Sequence, residues 1–284
     1  MRSNSCCLTP VLLLAACSTN PITGRNQLLL VSEQSAIAQS AQAYQGVLSD
    51  LNKKGKLSND AKLIARVRLI TDRLIDQAVT YRSETRDWAW SINVIDDPKT
   101  VNALCTAGGR MTLYTGLAEK IKPTDDELAQ VLLGHEISHA LLQHSREQIS
   151  EQMAVGAGVA LLGVTANDAS DQKMRQTIAG LGAAAFILLP HSREAESEAD
   201  RLGGLLEARA GYHPHAAVTL WEKMLKEGGG NSHTDFLSTR PAPAKRIDDL
   251  ASMEGGMMPL YEAASRNRPP SRAWTTAPSN EPAR

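Results

Sequence analysis

Thr124-Asp-Asp-Glu-Leu-Ala-Gln-Val-Leu-Leu-Gly-His135-Glu-Ile-Ser-His139 is the stretch on which the fold and chemistry of this chain turn. Thr124 and Glu127 stand at capping-box spacing, and Asp125 and Asp126 sit where a helix N-terminus favours negative charge. A helix is therefore expected from here through Leu128, Val131 and Leu132 to about Gln143. On it, His135 and His139 lie one turn apart along the axis and about 40° apart around it. Two imidazoles so placed reach one tetrahedral zinc ion at ordinary Zn–N distances. Glu136 is offset from that pair, where it can take a proton from an attacking water and deliver it to a leaving amine. Two ordinary helical histidines are the bland alternative. That reading does not account for their place behind a capping box within an amphipathic pattern.

A catalytic zinc site usually has three protein ligands and one open position. His144 is a poor third ligand, because five residues beyond His139 is about 140° around the helix. The run Ser192-Arg-Glu-Ala-Glu-Ser-Glu-Ala-Asp200 is better supplied, with Glu196 and Asp200 an i, i+4 pair on one face. Glu196 would bind the metal, and Asp200 would hold a ligand histidine by its other ring nitrogen. Spacing alone leaves Glu194 and Glu198 open, and a solvated acidic face is the plain alternative.

Outward from these motifs, 284 residues give room for one domain with terminal extensions. Aromatics are only 4%, so the core rests on Leu, Ile, Val and Ala. A net charge of −1 without blocks of like charge gives no footprint for nucleic acid, and no such partner is expected. Residues 1–16 have the layout of a signal peptide: Arg2 and the amino terminus, then an apolar run from Cys6 to Ala16, too short to span a bilayer. Leu14-Ala-Ala-Cys17 resembles the bacterial lipobox, which makes Cys17 the expected lipidation site and residues 17–31 a tether. Ser18 after it fits sorting to an outer membrane. Cys105 is then the sole remaining thiol; no disulfide is expected, and it reads as a packed apolar residue.

The domain proper is expected over 32–264. Ser32 to Tyr44 is helical but poorly amphipathic, and Ser58 to Val79 is a clearer helix with Leu63, Val67, Ile70 and Leu74 on one face. Trp88 to Ile95 alternates as a half-buried strand. Ala103 to Thr115 bends at Gly108-Gly109, with Met111 to Tyr114 as a second strand whose open edge would pair with an extended peptide. Asn102 is either a turn former or a substrate contact. Two apolar runs between Met153 and Pro190 read as buried helices, each too short to cross a membrane. Helices follow at Glu194 to Arg209, ended by Gly211, at Pro214 to Lys226, and briefly at Pro241 to Leu250. Residues 265–284 are expected to be a disordered tail.

The motifs together resemble the M48 metallopeptidases, particularly bacterial periplasmic lipoprotein members. The resemblance runs through Cys17-Ser-Thr-Asn-Pro-Ile-Thr-Gly24, Val101-Asn102-Ala103 with Gly108-Gly109, and Tyr114-Thr-Gly-Leu117. It continues through His135 to His139, Leu189-Pro-His-Ser-Arg193 to Ala199-Asp200-Arg201, Ala210-Gly-Tyr212 and Leu237-Ser-Thr-Arg-Pro241. It implies a mainly helical α+β zincin-like fold with a small β-sheet beside the motif helix, one Zn2+ per chain, and Glu196 as third ligand with Asp200 behind it. It also implies a metalloendopeptidase acting on unfolded or misfolded cell-envelope proteins, in contact with envelope assembly machinery. The expected location is the periplasm, anchored to the outer membrane through Cys17. Two departures stand out. Thr239-Arg240-Pro241 replaces a frequent Thr-His-Pro, so regulation by that histidine is in doubt; Arg240 is either a substrate contact or a solvated arginine, and His233 nearby is a weak substitute. His191 stands where a tyrosine is frequent and carries no evident role. A lipoprotein chaperone or assembly factor that cuts little is the competing reading, motivated by Arg240 and the apolar Met153–Pro190 region. The intact His135, Glu136, His139 and Glu196 set argues against it.

Overall fold

In a computed structural model of the chain, the described residues are 17–20, 23–161, 191–227, 243–266 and 271–275. They form the expected mainly helical α+β arrangement. A three-stranded sheet is made of β3 (Ser91–Ile95), β4 (Ala103–Cys105) and β5 (Arg110–Tyr114), and a separate hairpin of β1 (Cys17–Thr19) and β2 (Asn26–Leu28). Around them lie α1 (Glu33–Lys53), α2 (Ala61–Tyr81), the motif helix α3 (the continuous segments Asp125–Glu127, Leu128–Gly134 and His135–Leu141), α4 (His144–Leu161), α5 (Arg193–Arg209), α6 (Ala216–Glu227) and α7 (Pro243–Arg266). Among the described residues no helix is long and apolar enough to cross a membrane.

The expected Gly108-Gly109 bend joins β4 to β5, which pair antiparallel, while β3 runs parallel to β5 in the order β3-β5-β4. Gly109 has φ +81° and lies on Trp90, where an added Cβ would come within 2.5 Å of the indole. Only glycine meets both demands. Met111–Tyr114 is thus the middle of the sheet rather than an open edge. Among the described residues the edge beside the motif helix is β4, because the hairpin folds β5 inward between its neighbours. The strand expected from Trp88 begins at Ser91, since Ser83–Asp87 winds into a 3-10 turn whose Thr85 carbonyl accepts the Trp90 indole N–H. Its alternation is lost as well: Ile92 to Ile95 are all buried, and Asn93 donates to the Tyr44 hydroxyl of α1.

α2 follows the periodicity, with Val67, Ile70 and Leu74 fully buried and Asp60 capping its first turn. Each such side chain contributes about 1.5–3 kcal/mol of burial. α1 extends beyond Tyr44 to Lys53; a narrow stripe of Ala36, Ser40, Ala43 and Tyr44 suffices to seat it. α7 runs well past Leu250 although Gly255, Gly256 and Pro259 lie inside it, because Leu250 and Met257 are buried and the helix packs along α5 and α6. Tertiary contact there outweighs poor local propensity. The apolar Met153–Pro190 stretch enters α4 up to Leu161, and residues 162–190 lie outside the described residues.

Both terminal extensions depart from expectation. Cys17–Thr19 pairs with Asn26–Leu28 in a hairpin rather than forming a loose tether, and Asn20 and Gln27 both donate to the Leu142 carbonyl at the end of the motif helix, at 3.2 and 3.0 Å. In the expected disordered tail, residues 271–275 dock on α2. Asp72 accepts from the backbone N–H groups of Trp274 and Thr275 and from the Thr275 hydroxyl, and Asp76 accepts the Trp274 indole. A polar, Pro-rich composition conceals these anchors, because each depends on an acid on a distant helix.

Candidate metal centre

The motif helix α3 starts as the sequence dictates. Thr124 accepts from the Glu127 backbone while the Glu127 carboxylate accepts from that of Thr124, a complete capping box. Asp125–Glu127, Leu128–Gly134 and His135–Leu141 then follow without a break, the middle segment wound as a wider π-helix. Helix α5 crosses α3 at Gly134 and Gly203; a Cβ on Gly203 would stand 3.0 Å from the His135 nitrogen and 3.1 Å from the Gly134 carbonyl carbon. Two glycines at the crossing let the backbones approach, and the acidic side chains of α5 meet the histidines of α3.

His135 Nε2 and His139 Nε2 are 2.9 Å apart, and Glu196 places one oxygen 3.4 Å from the first and the other 3.5 Å from the second. All three residues are buried, and among the described residues they are the one group of three metal-ligating side chains so gathered. Zn–ligand bonds of about 2.0–2.1 Å in a tetrahedron imply ligand–ligand edges of about 3.3 Å. The observed separations fall around that value, and two imidazoles with one carboxylate form a donor set suited to zinc.

The other side of each ring is also engaged. His135 Nδ1 lies 2.8 Å from Asp200 Oδ1, and His139 Nδ1 lies 2.8 Å from His144 Nδ1. With both Nδ1 atoms committed, the two Nε2 lone pairs and a carboxylate converge, a grouping that a cation balances. Burial, with His191 and His135 close by, holds His139 well below the usual imidazole range, so it stays neutral with a lone pair free to bind a metal. Burial opposes ionisation of Asp200, but the Arg246 guanidinium and the His135 hydrogen bond outweigh it and hold the carboxyl below its usual range. Glu136 is buried on α3, near β4: its carboxylate adds to burial in pushing the Cys105 thiol well up. Cys105 is accordingly a buried, protonated thiol.

Three participants escaped the sequence reading. Arg246 of α7 is buried, donates to Glu196 at 2.9 Å and to Asp200, and stacks on Trp221 with its guanidinium 4.5 Å from the ring. Nothing in its neighbourhood of sequence marks it; only the need for a counter-charge between two buried acids could have. His144, a poor third ligand, stands outside the metal-ligating group, with Nδ1 facing His139 and Nε2 facing Glu198. A continuous-helix angle does not describe its position, because α3 ends at Leu141 and Gln143 turns through φ +61° before α4 begins. That turn brings His144 behind His139. His191 stacks on His139, ring centroids 4.1 Å apart at 17°.

Of the remaining expected residues, Asn102 sits at the entrance to β4, where its side chain accepts from the Ala103 N–H. Glu194 is exposed, and Glu198 is taken by His144 and Arg25. Cys17 pairs with Leu28 in the amino-terminal hairpin. Arg240 and His233 lie outside the described residues.

Residues 62–254 match peptidase family M48. The chain is 37% identical over 183 residues to mitochondrial metalloendopeptidase OMA1 of Arabidopsis thaliana, covering 63% of this chain and 35% of that protein. It is 33% identical over 228 residues to mitochondrial metalloendopeptidase OMA1 of Schizosaccharomyces pombe, covering 80% and 63%. With the beta-barrel assembly-enhancing protease of Escherichia coli K12 it shares 26% over 240 residues, covering 82% and 47%. The chain thus spans between about a third and two thirds of the length of these relatives.

Proposed function

The chain belongs to peptidase family M48, and from that premise we propose that it is a zinc-dependent endopeptidase that cuts unfolded or stalled proteins of the cell envelope. The convergence of His135, His139 and Glu196 carries this reading. Those three residues would hold one zinc ion, which when bound polarises the scissile carbonyl and makes water a better nucleophile. Asp200 and His144 fix the two imidazoles by their far nitrogens, so that their lone pairs stay aimed at one point. Arg246 neutralises part of the charge of Glu196 and Asp200 and holds both in place. Glu136 takes the proton of the attacking water and passes it to the amide nitrogen as the C–N bond breaks. The products are a new carboxylate and a new amine, with no covalent intermediate. The edge of β4 offers the backbone groups along which an extended peptide can lie, with Asn102 at its start.

The envelope assignment rests on the signal-like residues 1–16 and the lipobox-like Leu14-Ala-Ala-Cys17, together with the Escherichia coli relative, whose name joins it to β-barrel assembly. Other relatives are mitochondrial, so location is tested directly: lipid on Cys17 and fractionation with the outer membrane support the anchor, and a soluble, unacylated chain refutes it. For the activity, purified protein carrying one zinc per chain cleaves an unfolded protein and stops when the zinc is chelated. Cleavage that survives complete removal of metal refutes the proposal.

A further inference from the structure

We infer that the amino-terminal hairpin is a working part of the metal centre, with Arg25, through Glu198 and His144, setting the position of His139. The inference rests on the metal-site reading above. Arg25 follows the turn between β1 and β2, and its guanidinium makes two separate engagements. Both terminal nitrogens grip the Glu147 carboxylate of α4, each at 2.6 Å, while Nε donates to Glu198 Oε2 of α5 at 3.0 Å. The same Glu198 oxygen lies 3.0 Å from His144 Nε2, and His144 Nδ1 lies 2.8 Å from His139 Nδ1. His144 is fully buried and Glu198 half-buried, whereas the Arg25 side chain retains 25% exposure. The chain of contacts therefore starts at the surface and ends on a candidate ligand.

Hydrogen-bond polarity gives the chain one direction. His139 turns Nε2 toward His135 and Glu196, so its Nδ1 carries the hydrogen and donates to His144 Nδ1. His144 then has its hydrogen on Nε2 and donates to Glu198, an acceptor only. The same carboxylate accepts from Arg25 Nε, a permanent cation. With the hydrogens so placed, every link has one donor and one acceptor. The hairpin itself is held against the turn between α3 and α4, where Asn20 and Gln27 cap the Leu142 carbonyl. Loss of the hairpin would free both that turn and the charge that orients His144. Arg25, Glu198 and His144 are positioning residues, removed from the reacting atoms.

Such outer partners of ligand histidines typically govern metal affinity by about 10–100-fold. The test measures zinc affinity of the full chain by competition with a chelating dye, independently of peptidase activity, with thermal melting of the metal-free proteins in parallel. Arg25→Ala and His144→Ala are each expected to weaken zinc binding by about 10–100-fold, and Arg25→Lys to recover part of the loss. Because they act in one chain, Arg25→Ala with His144→Ala should bind zinc no more weakly than His144→Ala alone. Should Arg25→Ala fail to fold, Glu198→Gln keeps the side-chain shape and is expected to lose about tenfold. Wild-type affinity in Arg25→Ala or Glu198→Gln, or losses that multiply in the double variant, overturns the inference. A wild-type chain that takes up no zinc overturns the metal-site reading itself, and this inference with it.

Discussion

Replacing Gly203 with alanine tests whether the helix crossing builds the metal centre, and its neighbour Gly204 supplies the control. Both lie inside α5, so alanine at either gains about 0.8–1.0 kcal/mol of helix propensity. What the new methyl meets differs. At Gly204 it meets the Sδ and Cε of Met257, the end of a flexible side chain that can swing away. At Gly203 it meets backbone of the motif helix, 3.0 Å from the His135 nitrogen, 3.1 Å from the Gly134 carbonyl carbon and 3.2 Å from the His135 Cα. Backbone cannot rotate aside, so α5 must lift from α3 by a few tenths of an ångström, carrying Glu196 and Asp200 with it. Overpacking of this kind costs about 1–3 kcal/mol. Because the propensity gain is common to both and cancels, Gly203→Ala should be less stable than Gly204→Ala by about 1–3 kcal/mol in urea denaturation, and should hold zinc less tightly. Equal stability and equal zinc affinity in the two variants would refute the close crossing as the device that assembles the site.

Glu207 is fully buried with neither carboxylate oxygen hydrogen-bonded, and burial, with Asp126 nearby, raises its pKa well above the ordinary value. The folded state therefore keeps a proton that the unfolded chain loses near pH 4.5, so stability falls as pH rises from there. Glu207→Met should stabilise by about 1–3 kcal/mol at pH 7 and by less near pH 4; a pH-independent difference in urea midpoints would contradict this. Arg246→Met leaves Glu196 and Asp200 without their buried cation and should cost about 3–5 kcal/mol in chelator. Added zinc should offset part of that cost, and an equal loss with and without zinc would count against a shared site. Asp72→Ala removes the acceptor for Trp274 and Thr275, so limited proteolysis after Arg272 should quicken while the domain stays folded. An unchanged cleavage rate would show that these bonds do not hold the tail.

The pairing of His135 with His139 is legible for a physical reason: i, i+4 spacing fixes two side chains on one helical turn, and a capping box fixes where that helix begins. The choice of Glu196 over Glu194 and Glu198 was not in the spacing and came from resemblance. In the structure the three glutamates separate by face: Glu194 outward, Glu196 toward α3, Glu198 toward the hairpin. What stayed hidden depends on contacts between distant segments. Arg246 is one arginine among many until α7 lies across α5, Arg25 and Gln27 read as linker until α4 and α5 present Glu147 and Glu198, and Asn20 does so until the Leu142 carbonyl meets it. Sheet order was misread because a hairpin says which strands pair but not which side stays open. His144 stands outside the metal-ligating group, and its place behind His139 is not legible because the left-handed backbone of Gln143 breaks the helix before it.

The most direct test of the central claim compares wild type with Glu136→Gln, each shown to hold one zinc, for cleavage of an unfolded protein. The substitution leaves His135, His139 and Glu196 untouched and removes only the group that takes and returns the proton. The account predicts equal zinc content, cleavage by wild type, and a loss of at least about 10²–10⁴-fold in the variant. Cleavage by Glu136→Gln at the wild-type rate, with zinc bound in both, would contradict it.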